Sequence, residues 1–279
     1  LIKTGQFEEA RGVLTLARQH GLEGQAVDTL EACIEDGLAV IAPSNDKNPN
    51  RQDIDTLLAL FNQGRYADVA MLARRMTRRF PLHEFGWKTL GGALKMLGQN
   101  TEALEPMQKA VSLSPGDVES HYNLGVTLQE LNHLDEAVAC YQNALQLNPR
   151  YTDAALNLGV AHNKMGHLDE AEKSLRQALR IKPDSAVAHC NLGLTLRELG
   201  RLDEAEASFR RVLEITPLNT TAHNNLGMIF QKQGRLEEAV GRISTAVATG
   251  DPATAGRARL MQQRWQTELQ RRTDARAEA

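Results

Sequence analysis

A period of 34 residues constrains the fold of this chain more than any other feature of its sequence. Proline, glycine and alanine each recur with this period, and each has its own position within it. The prolines are Pro81, Pro115, Pro149, Pro183 and Pro217. The glycines are Gly91, Gly125, Gly159, Gly193 and Gly227, and the alanines are Ala103, Ala137, Ala171, Ala205 and Ala239. A period of about 20–50 residues is typical of solenoids, in which each repeat buries its apolar face only by stacking on its neighbours.

Each period predicts two helices. In one of them, His121, Leu124 and Leu128 share one helical face, and Ala137 and Ala144 share a second. The proline ends the period, because it lacks the amide hydrogen that a helix interior needs. Acidic residues open the second helix, where negative charge interacts favourably with the helix dipole. Glycine inside a helix costs about 1 kcal/mol relative to alanine, so the recurring mid-helix glycines predict a close approach of the two helices, opposite the alanine.

The turn between the two helices is filled by glycine or asparagine. The residues are Gly98, Asn132, Gly166, Gly200 and Gly234. These are the two residue types that best tolerate the left-handed backbone at a helix end, so a positive φ is predicted at each position.

These motifs resemble the tetratricopeptide repeat. The matching runs in one period are Asn123-Leu124-Gly125, Asp135-Glu136-Ala137, Ala144-Leu145 and Asn148-Pro149. Five repeats match, from about Glu84 to Thr249. The resemblance implies an all-α fold, a right-handed superhelical solenoid of antiparallel helix pairs with a concave binding groove.

We predict five segments along the chain. Residues 1–42 form a degenerate partial repeat and a helix, and the first helix of that repeat is expected to precede the sequence. Residues 43–50 form a linker, and residues 51–249 form the array of about six repeats, five of them clear from residue 84. A capping helix at 250–272 and a disordered tail at 273–279 follow.

Charge and cysteine content restrict the partners and the compartment. The formal net charge is −3, with 32 basic and 35 acidic residues, which argues against nucleic acid as the main partner. No segment resembles a membrane span or a signal peptide, and we expect a bacterial-type cytoplasmic protein. Cys33, Cys140 and Cys190 form no C-x-x-C pair and are expected to be free thiols.

No catalytic, cofactor or metal motif is found. G-x-S-x-G, phosphate-loop and H-E-x-x-H signatures are missing from the sequence, so we predict a protein that is not an enzyme. His121, His189 and His223 occupy one repeat position, a whole helix pair apart, whereas metal ligands lie about 2 Å from one ion. Packing or hydrogen-bonding roles are therefore expected for these histidines.

The candidate binding surface is the predicted inner wall. Asparagine recurs two residues before the repeat glycine, at Asn123, Asn157, Asn191 and Asn225. The predicted neighbours on the wall are Tyr122, Val126, Gln129, Glu130, Asn163, Lys164, Arg197, Glu198, Asn224, Met228, Gln231 and Lys232. One interpretation is a ladder of amides that binds the backbone of an extended peptide, similar to the asparagine-lined repeats of O-linked N-acetylglucosamine transferases. The other is that each asparagine bonds to the next repeat.

A second candidate is a basic patch on one helix, formed by Arg74, Arg75, Arg78 and Arg79. It is interpreted either as a contact for an acidic partner or lipid head groups, or as a solvated face. The predicted function is a scaffold that binds a partner protein or peptide. The alternatives are a substrate-recruiting domain of a larger glycosyltransferase or sulfotransferase, and a scaffold that self-associates through its N-terminal end.

Overall fold

The computed structural model describes residues 7–19, 34, 48–250 and 255–277. These residues form helices and short connections, with no strand among them, so the predicted all-α class is confirmed. The chain divides into two compact units, Leu1–Leu131 and Asn132–Ala279, called here the N-terminal and C-terminal units. Of residues 1–42, which are predicted to form a partial repeat and a helix, only 7–19 and 34 are described, and most of the predicted linker at 43–50 also lies outside the described residues.

The N-terminal unit is built from helix pairs. Its helices are α1 (Phe7–Gln19), α2 (Arg51–Asn62), α3 (Tyr66–Arg79), α4 (Glu84–Met96), α5 (Asn100–Leu113) and α6 (Val118–Glu130). Helix α2 packs on α3 and α4 packs on α5, while α3–α4 and α5–α6 contacts join successive pairs. The pair α2–α3 has the same turn as the clear repeats, although Leu57, which is fully buried, replaces its mid-helix glycine.

The C-terminal unit continues the pattern. Its helices are α7 (Leu134–Leu147), α8 (Thr152–Met165), α9 (Leu168–Ile181), α10 (Ala186–Glu198), α11 (Leu202–Ile215), α12 (Thr220–Lys232), α13 (Leu236–Thr249) and α14 (Ala255–Ala277). Each helix packs on the next one in the chain. The first helices of successive pairs also contact each other, α8 with α10 and α10 with α12, so they form one continuous wall.

The turn residues adopt the predicted left-handed backbone. The φ angles are 73° at Gly64, 75° at Gly98, 63° at Asn132, and 78° at Gly166, Gly200 and Gly234. Among the described residues, Asn132 is the only residue other than glycine with a positive φ. Asparagine tolerates this region better than other side chains, which explains the Gly-to-Asn exchange in the sequence.

The mid-helix glycines allow the close helix contact that the sequence predicts. A Cβ atom on Gly193 would lie 2.8 Å from Cζ of Phe209, and one on Gly159 would lie 2.6 Å from Cγ of Leu175. The predicted opposing alanine is one part of this contact, since the carbonyl oxygen of Ala171 lies 3.2 Å from the same position at Gly159. The nearest atoms, however, belong to the large side chain four residues after the alanine.

Each of the three recurring histidines forms a hydrogen bond to the loop that precedes its helix. Nε2 of His121, His189 and His223 lies 2.9, 2.8 and 3.0 Å from the carbonyl oxygen of the proline six residues earlier. Nε1 of Trp87 donates the equivalent bond to Pro81 at 2.9 Å. A carbonyl oxygen only accepts, so each histidine carries its hydrogen on Nε2. The predicted hydrogen-bonding role is confirmed.

Among the first helices of the repeats, α2, α4, α6, α10 and α12 begin at side-chain caps, whereas α8 has none. Oδ1 of Asn219 accepts from the amide of Ala222 at 2.9 Å, and Oγ of Ser185 accepts from the amide of Ala188 at 3.3 Å. Such caps satisfy amide groups that have no partner within the helix. Because the caps of α4, α6, α10 and α12 follow the repeat proline by two residues, the register of these repeats is marked at both the proline and the cap.

Helix α14 covers the last repeat. Trp265 is 8% exposed, and its Cζ3 lies 3.2 Å from where a Cβ of Gly227 would be. The helix extends to Ala277, beyond residue 272, where the sequence prediction ends it. Hydrogen bonds from Thr273 to the carbonyl of Leu269 and from Gln270 to Asp274 hold these last turns, at 2.9 and 2.7 Å.

Candidate functional site

The predicted wall residues fall into both units. Tyr122, Asn123, Val126, Gln129 and Glu130 belong to α6 in the N-terminal unit. The others lie on α8, α10 and α12 of the C-terminal unit, whose mutual contacts form the wall. Each set is therefore described within its own unit.

Several predicted wall residues surround one open pocket in the C-terminal unit, of about 560 Å³. Its lining residues are Arg197 and Glu198 of α10, Asn224, Met228 and Lys232 of α12, and Ala258 and Met261 of α14. This size lies within the range of about 300–1,000 Å³ that is typical of ligand pockets.

Helix α14 contributes a part of the site that the sequence prediction missed. The sequence predicts only a capping helix at 250–272, without binding residues. Ala258 and Trp265 are buried, but Met261 is only partly buried and lines the pocket. Met261 lies one turn before Trp265 on the same helical face, so the sequence gives no signal that separates it from the packing residues.

Both polar atoms of the Asn225 side chain form hydrogen bonds within the protein. It is 5% exposed, and its Nδ2 donates to the carbonyl of Thr221 at 2.8 Å. Its Oδ1 accepts from Nη1 of Arg197 on the preceding first helix. At this position the structure matches the second interpretation, in which asparagine bonds to the neighbouring repeat. The predicted ladder therefore does not present the Asn225 amide to a ligand.

The other asparagines differ in their surroundings. Asn191 is half-buried, and its Nδ2 donates to the carbonyl of Val187 at 2.9 Å, one turn earlier in its own helix. Asn157 is also half-buried. Asn163 exchanges hydrogen bonds with Thr195 at 2.8 and 3.0 Å, which joins α8 to α10. Of these side chains, Asn163 thus takes part in holding the first helices together.

Asn224 has an unusual environment. Its Oδ1 is buried and has no hydrogen-bond partner among the described residues. A buried acceptor without a partner costs about 1–3 kcal/mol and is rare in folded proteins. The equivalent residues of the two preceding repeats, Leu156 and Cys190, pack against the core instead. Packing of the repeat therefore does not require an amide at this position.

In the N-terminal unit, ion pairs link the first helices α4 and α6. Nζ of Lys88 lies 2.8 Å from Oδ2 of Asp117 and 2.9 Å from Oε2 of Glu119. Burial lowers the pKa of the Lys88 ammonium, but these two hydrogen bonds outweigh it, so the pKa is raised overall. Asn123 lines a crevice of only about 20 Å³ beside Lys88 and Gly92. A peptide segment does not fit in this space.

The basic patch on α3 is exposed. Nη2 of Arg74 lies 3.8 Å from Glu102, and the guanidinium of Arg79 lies 5.1 Å from the ring centroid of Phe80. Arg75 and Arg79 line a second pocket of about 240 Å³. Its use as a binding surface remains a prediction.

The described thiols are not activated nucleophiles. Burial, together with the charge of Glu136, raises the pKa of Cys140 to about 11. Burial also raises the pKa of Cys190. Both thiols therefore stay protonated at neutral pH, and the thiolate is the reactive form. In the part of the chain that the structure describes, no three His, Cys, Asp or Glu side chains are grouped to hold a metal ion.

None of the helices in the described residues has the length and apolar character needed to cross a membrane.

The helix pairs are stacked, each pair has a turn residue with left-handed backbone, and a final helix covers the last pair. These features define a helical repeat solenoid. Models of the tetratricopeptide repeat match residues 118–151, 151–218 and 190–255. The chain therefore contains tetratricopeptide repeats, and the predicted solenoid class is confirmed.

Solved structures support the same fold. One is described as "YrrB: a TPR protein with an unusual peptide-binding site"; it is 21% identical, with a TM-score of 0.58 over 67% of this chain and 97% of its own. The crystal structure of MamA is 22% identical, with a TM-score of 0.56 over 57% and 94%. MamA residues 41 to the end from Desulfovibrio magneticus RS-1 is 20% identical, with a TM-score of 0.56 over 58% and 92%. None of the curated protein sequences compared with the chain matches it.

Proposed function

We propose that the C-terminal unit is a non-catalytic interaction scaffold that holds an extended segment of a partner protein along the wall of α8, α10 and α12. One observation carries this proposal. Residues of two successive repeats and of α14, which are distant in sequence, surround a single open pocket at the end of the wall. Stacked repeats commonly bind partners on such extended surfaces.

The chemistry of the wall suits a peptide. Met228 and Met261 provide an apolar floor, and methionine adapts to differently shaped side chains. Asn191 is half-buried and has one donor engaged, which leaves a second amide hydrogen and the carbonyl oxygen of this side chain. YrrB, which shares the fold, is described as having a peptide-binding site, and this is consistent with the proposal.

The asparagine ladder is accordingly proposed in a shortened form. Asn157 and Asn191 remain as candidate contacts to a peptide backbone, together with Gln231 and Lys164, which are exposed. Each hydrogen bond is expected to contribute about 0.5–1.5 kcal/mol net. A single Asn→Ala change should therefore weaken binding only modestly, and most of the affinity should come from the pocket.

Selection from a random-peptide display library tests the proposal. The full chain would be compared with Met228→Lys, which places a charge on the pocket floor. The control is Leu147→Lys on the second helix α7, where the leucine is already 45% exposed. We expect peptides selected on the wild type to bind the control with unchanged affinity and to bind the Met228→Lys variant much more weakly. Circular dichroism checks that both variants are folded. Equal binding to both folded variants would exclude the wall as the binding surface.

A further inference from the structure

We propose that the pocket between α10, α12 and α14 selects an acidic–aliphatic segment, in which an aliphatic side chain enters the floor and an adjacent carboxylate binds the basic rim. The inference rests on the proposed function, because it names the class of peptide that this surface takes. It is carried by three features of the pocket, namely its floor, its charge and an unsatisfied amide.

The floor is apolar and deformable. Met228 stands where the preceding repeats have Val160 and Leu194, and Met261 faces the same space from α14. Ala258, which is 4% exposed, closes the pocket between them. An unbranched thioether chain fills irregular gaps and re-packs easily. Leucine, isoleucine and methionine side chains of a partner therefore all fit such a floor.

The rim carries more positive than negative charge. Among the lining residues, Arg197 and Lys232 are cationic and Glu198 is the one anion. Lys232 is exposed and has no ion-pair partner within the described residues. Arg197 uses one Nη1 hydrogen for Asn225, which leaves further donors of its guanidinium. A carboxylate is the complementary group for this rim.

The amide of Asn224 fits a bound backbone. Its Oδ1 lacks a partner in the described residues, whereas leucine and cysteine serve at the equivalent positions of the preceding repeats. The unsatisfied amide costs stability in the free protein. Its presence is explained if a bound ligand supplies the missing hydrogen-bond donor. The terminal amide torsion of asparagine is broad, so a small rotation turns Oδ1 towards an incoming backbone N–H. Asn224 is thus assigned the role of orienting the bound segment.

Fluorescence anisotropy with defined peptides tests this assignment on the full chain. The probe is a labelled peptide with a Leu-Asp-Glu core between Gly/Ser flanks. Three matched probes replace the acids by Asn-Gln, replace the acids by lysines, or replace the leucine by glycine. We expect the acidic–aliphatic probe to bind about tenfold more tightly than the Asn-Gln probe, which corresponds to about 1.4 kcal/mol, and more tightly than either of the others.

Two variants and one control separate the roles of the residues. Lys232→Gln should reduce the preference for the acidic probe over the Asn-Gln probe, whereas Lys173→Gln on α9 should leave it unchanged. Asn224→Leu should weaken binding of the acidic probe several-fold while the melting temperature stays the same or rises, because an unsatisfied acceptor is removed. A purely structural asparagine would instead lower the melting temperature without changing the affinity of the folded protein.

The outcomes distinguish this inference from the function on which it rests. Equal affinity for the acidic and Asn-Gln probes, or preference for the lysine probe, overturns the selection of an acidic segment. If no defined probe binds but library peptides still depend on Met228, the peptide class is wrong and the scaffold function stands. If library peptides also bind Met228→Lys as tightly as wild type, both fail.

Discussion

Substituting alanine at two helical glycines gives a sharp test of the close helix contact. At Gly193 in α10, an added Cβ would lie 2.8, 2.9 and 3.0 Å from Cζ, Cε2 and Cε1 of Phe209. Phe209 is fully buried in the core of the C-terminal unit, so its ring has no free space to enter. At Gly241 in α13, the same Cβ has no atom within 4 Å, and the residue is exposed.

The expected magnitudes follow from these contacts. Replacing glycine by alanine inside a helix stabilises it by about 0.8–1 kcal/mol at either site. Overpacking of a filled core costs about 1–3 kcal/mol, and only Gly193→Ala incurs it. Gly241→Ala should therefore raise the free energy of unfolding by about 1 kcal/mol, whereas Gly193→Ala should leave it unchanged or lower it. The difference between the two variants isolates the overpacking of Phe209.

Urea denaturation and amide hydrogen exchange measure this difference. Repeat arrays unfold in parts, so a single unfolding free energy is not sufficient, and exchange of the α10 and α11 amides reports the local stability. Faster exchange there in Gly193→Ala is expected, with a larger effect in Gly193→Leu. If Gly193→Ala stabilises the protein as much as Gly241→Ala does, the close-contact explanation of the repeat glycine is refuted.

Three further measurements test other parts of the structure. In urea denaturation, Gly166→Ala should lower the free energy of unfolding by about 1–2 kcal/mol, because alanine is strained at φ 78°. Gly166→Asn should lower it by less, and an equal loss would contradict the backbone explanation. Cys140, with its pKa raised to about 11, should react slowly with iodoacetamide at neutral pH until urea unfolds the chain, and rapid native labelling mapped by mass spectrometry would contradict its burial. Burial alone would raise the pKa of Glu172, but hydrogen bonds from Arg176 and Arg201 lower it overall, so its contribution to stability is present above pH 4.5 and is lost as the pH falls. Glu172→Gln should flatten the acid side of the stability profile, and an unchanged slope would argue against this contribution.

The fold could be predicted because the repeat marks its own boundaries. The prolines, the turn glycines and Asn132 specify where helices end, and these are local backbone requirements that a sequence shows directly. The side chain that packs against the mid-helix glycine was harder to predict from the sequence. Helical side chains lean towards the N-terminus of their helix, so Leu175 rather than Ala171 reaches Gly159 most closely. The spacing identifies the contact, but this tilt decides which atoms make it.

The candidate site could be predicted only in outline. Helical spacing places Asn191 and Asn225 at the same position of the wall, but it does not show whether an amide is offered to a ligand or used within the protein. That depends on Arg197 reaching Asn225 from the preceding repeat, which is a pairwise contact between side chains. The contribution of α14 was missed because this helix lies outside the repeat, and its orientation is set by Trp265 packing against Gly227.

The packing face is similar from repeat to repeat, whereas the wall residues differ, so one repeat can acquire a binding role of its own. The stack is held mainly by its buried leucines and alanines and by the hydrogen bonds to proline carbonyls. The wall position shared by Leu156, Cys190 and Asn224 is only partly buried and already holds three different residue types. That position can therefore change without loss of the fold. Of these three residues, the amide stands beside α14, where the helix closes a pocket that two stacked repeats alone leave open. Selectivity for a partner should accordingly concentrate at this end of the C-terminal unit, while the preceding first helices contribute contacts that depend little on the partner's sequence.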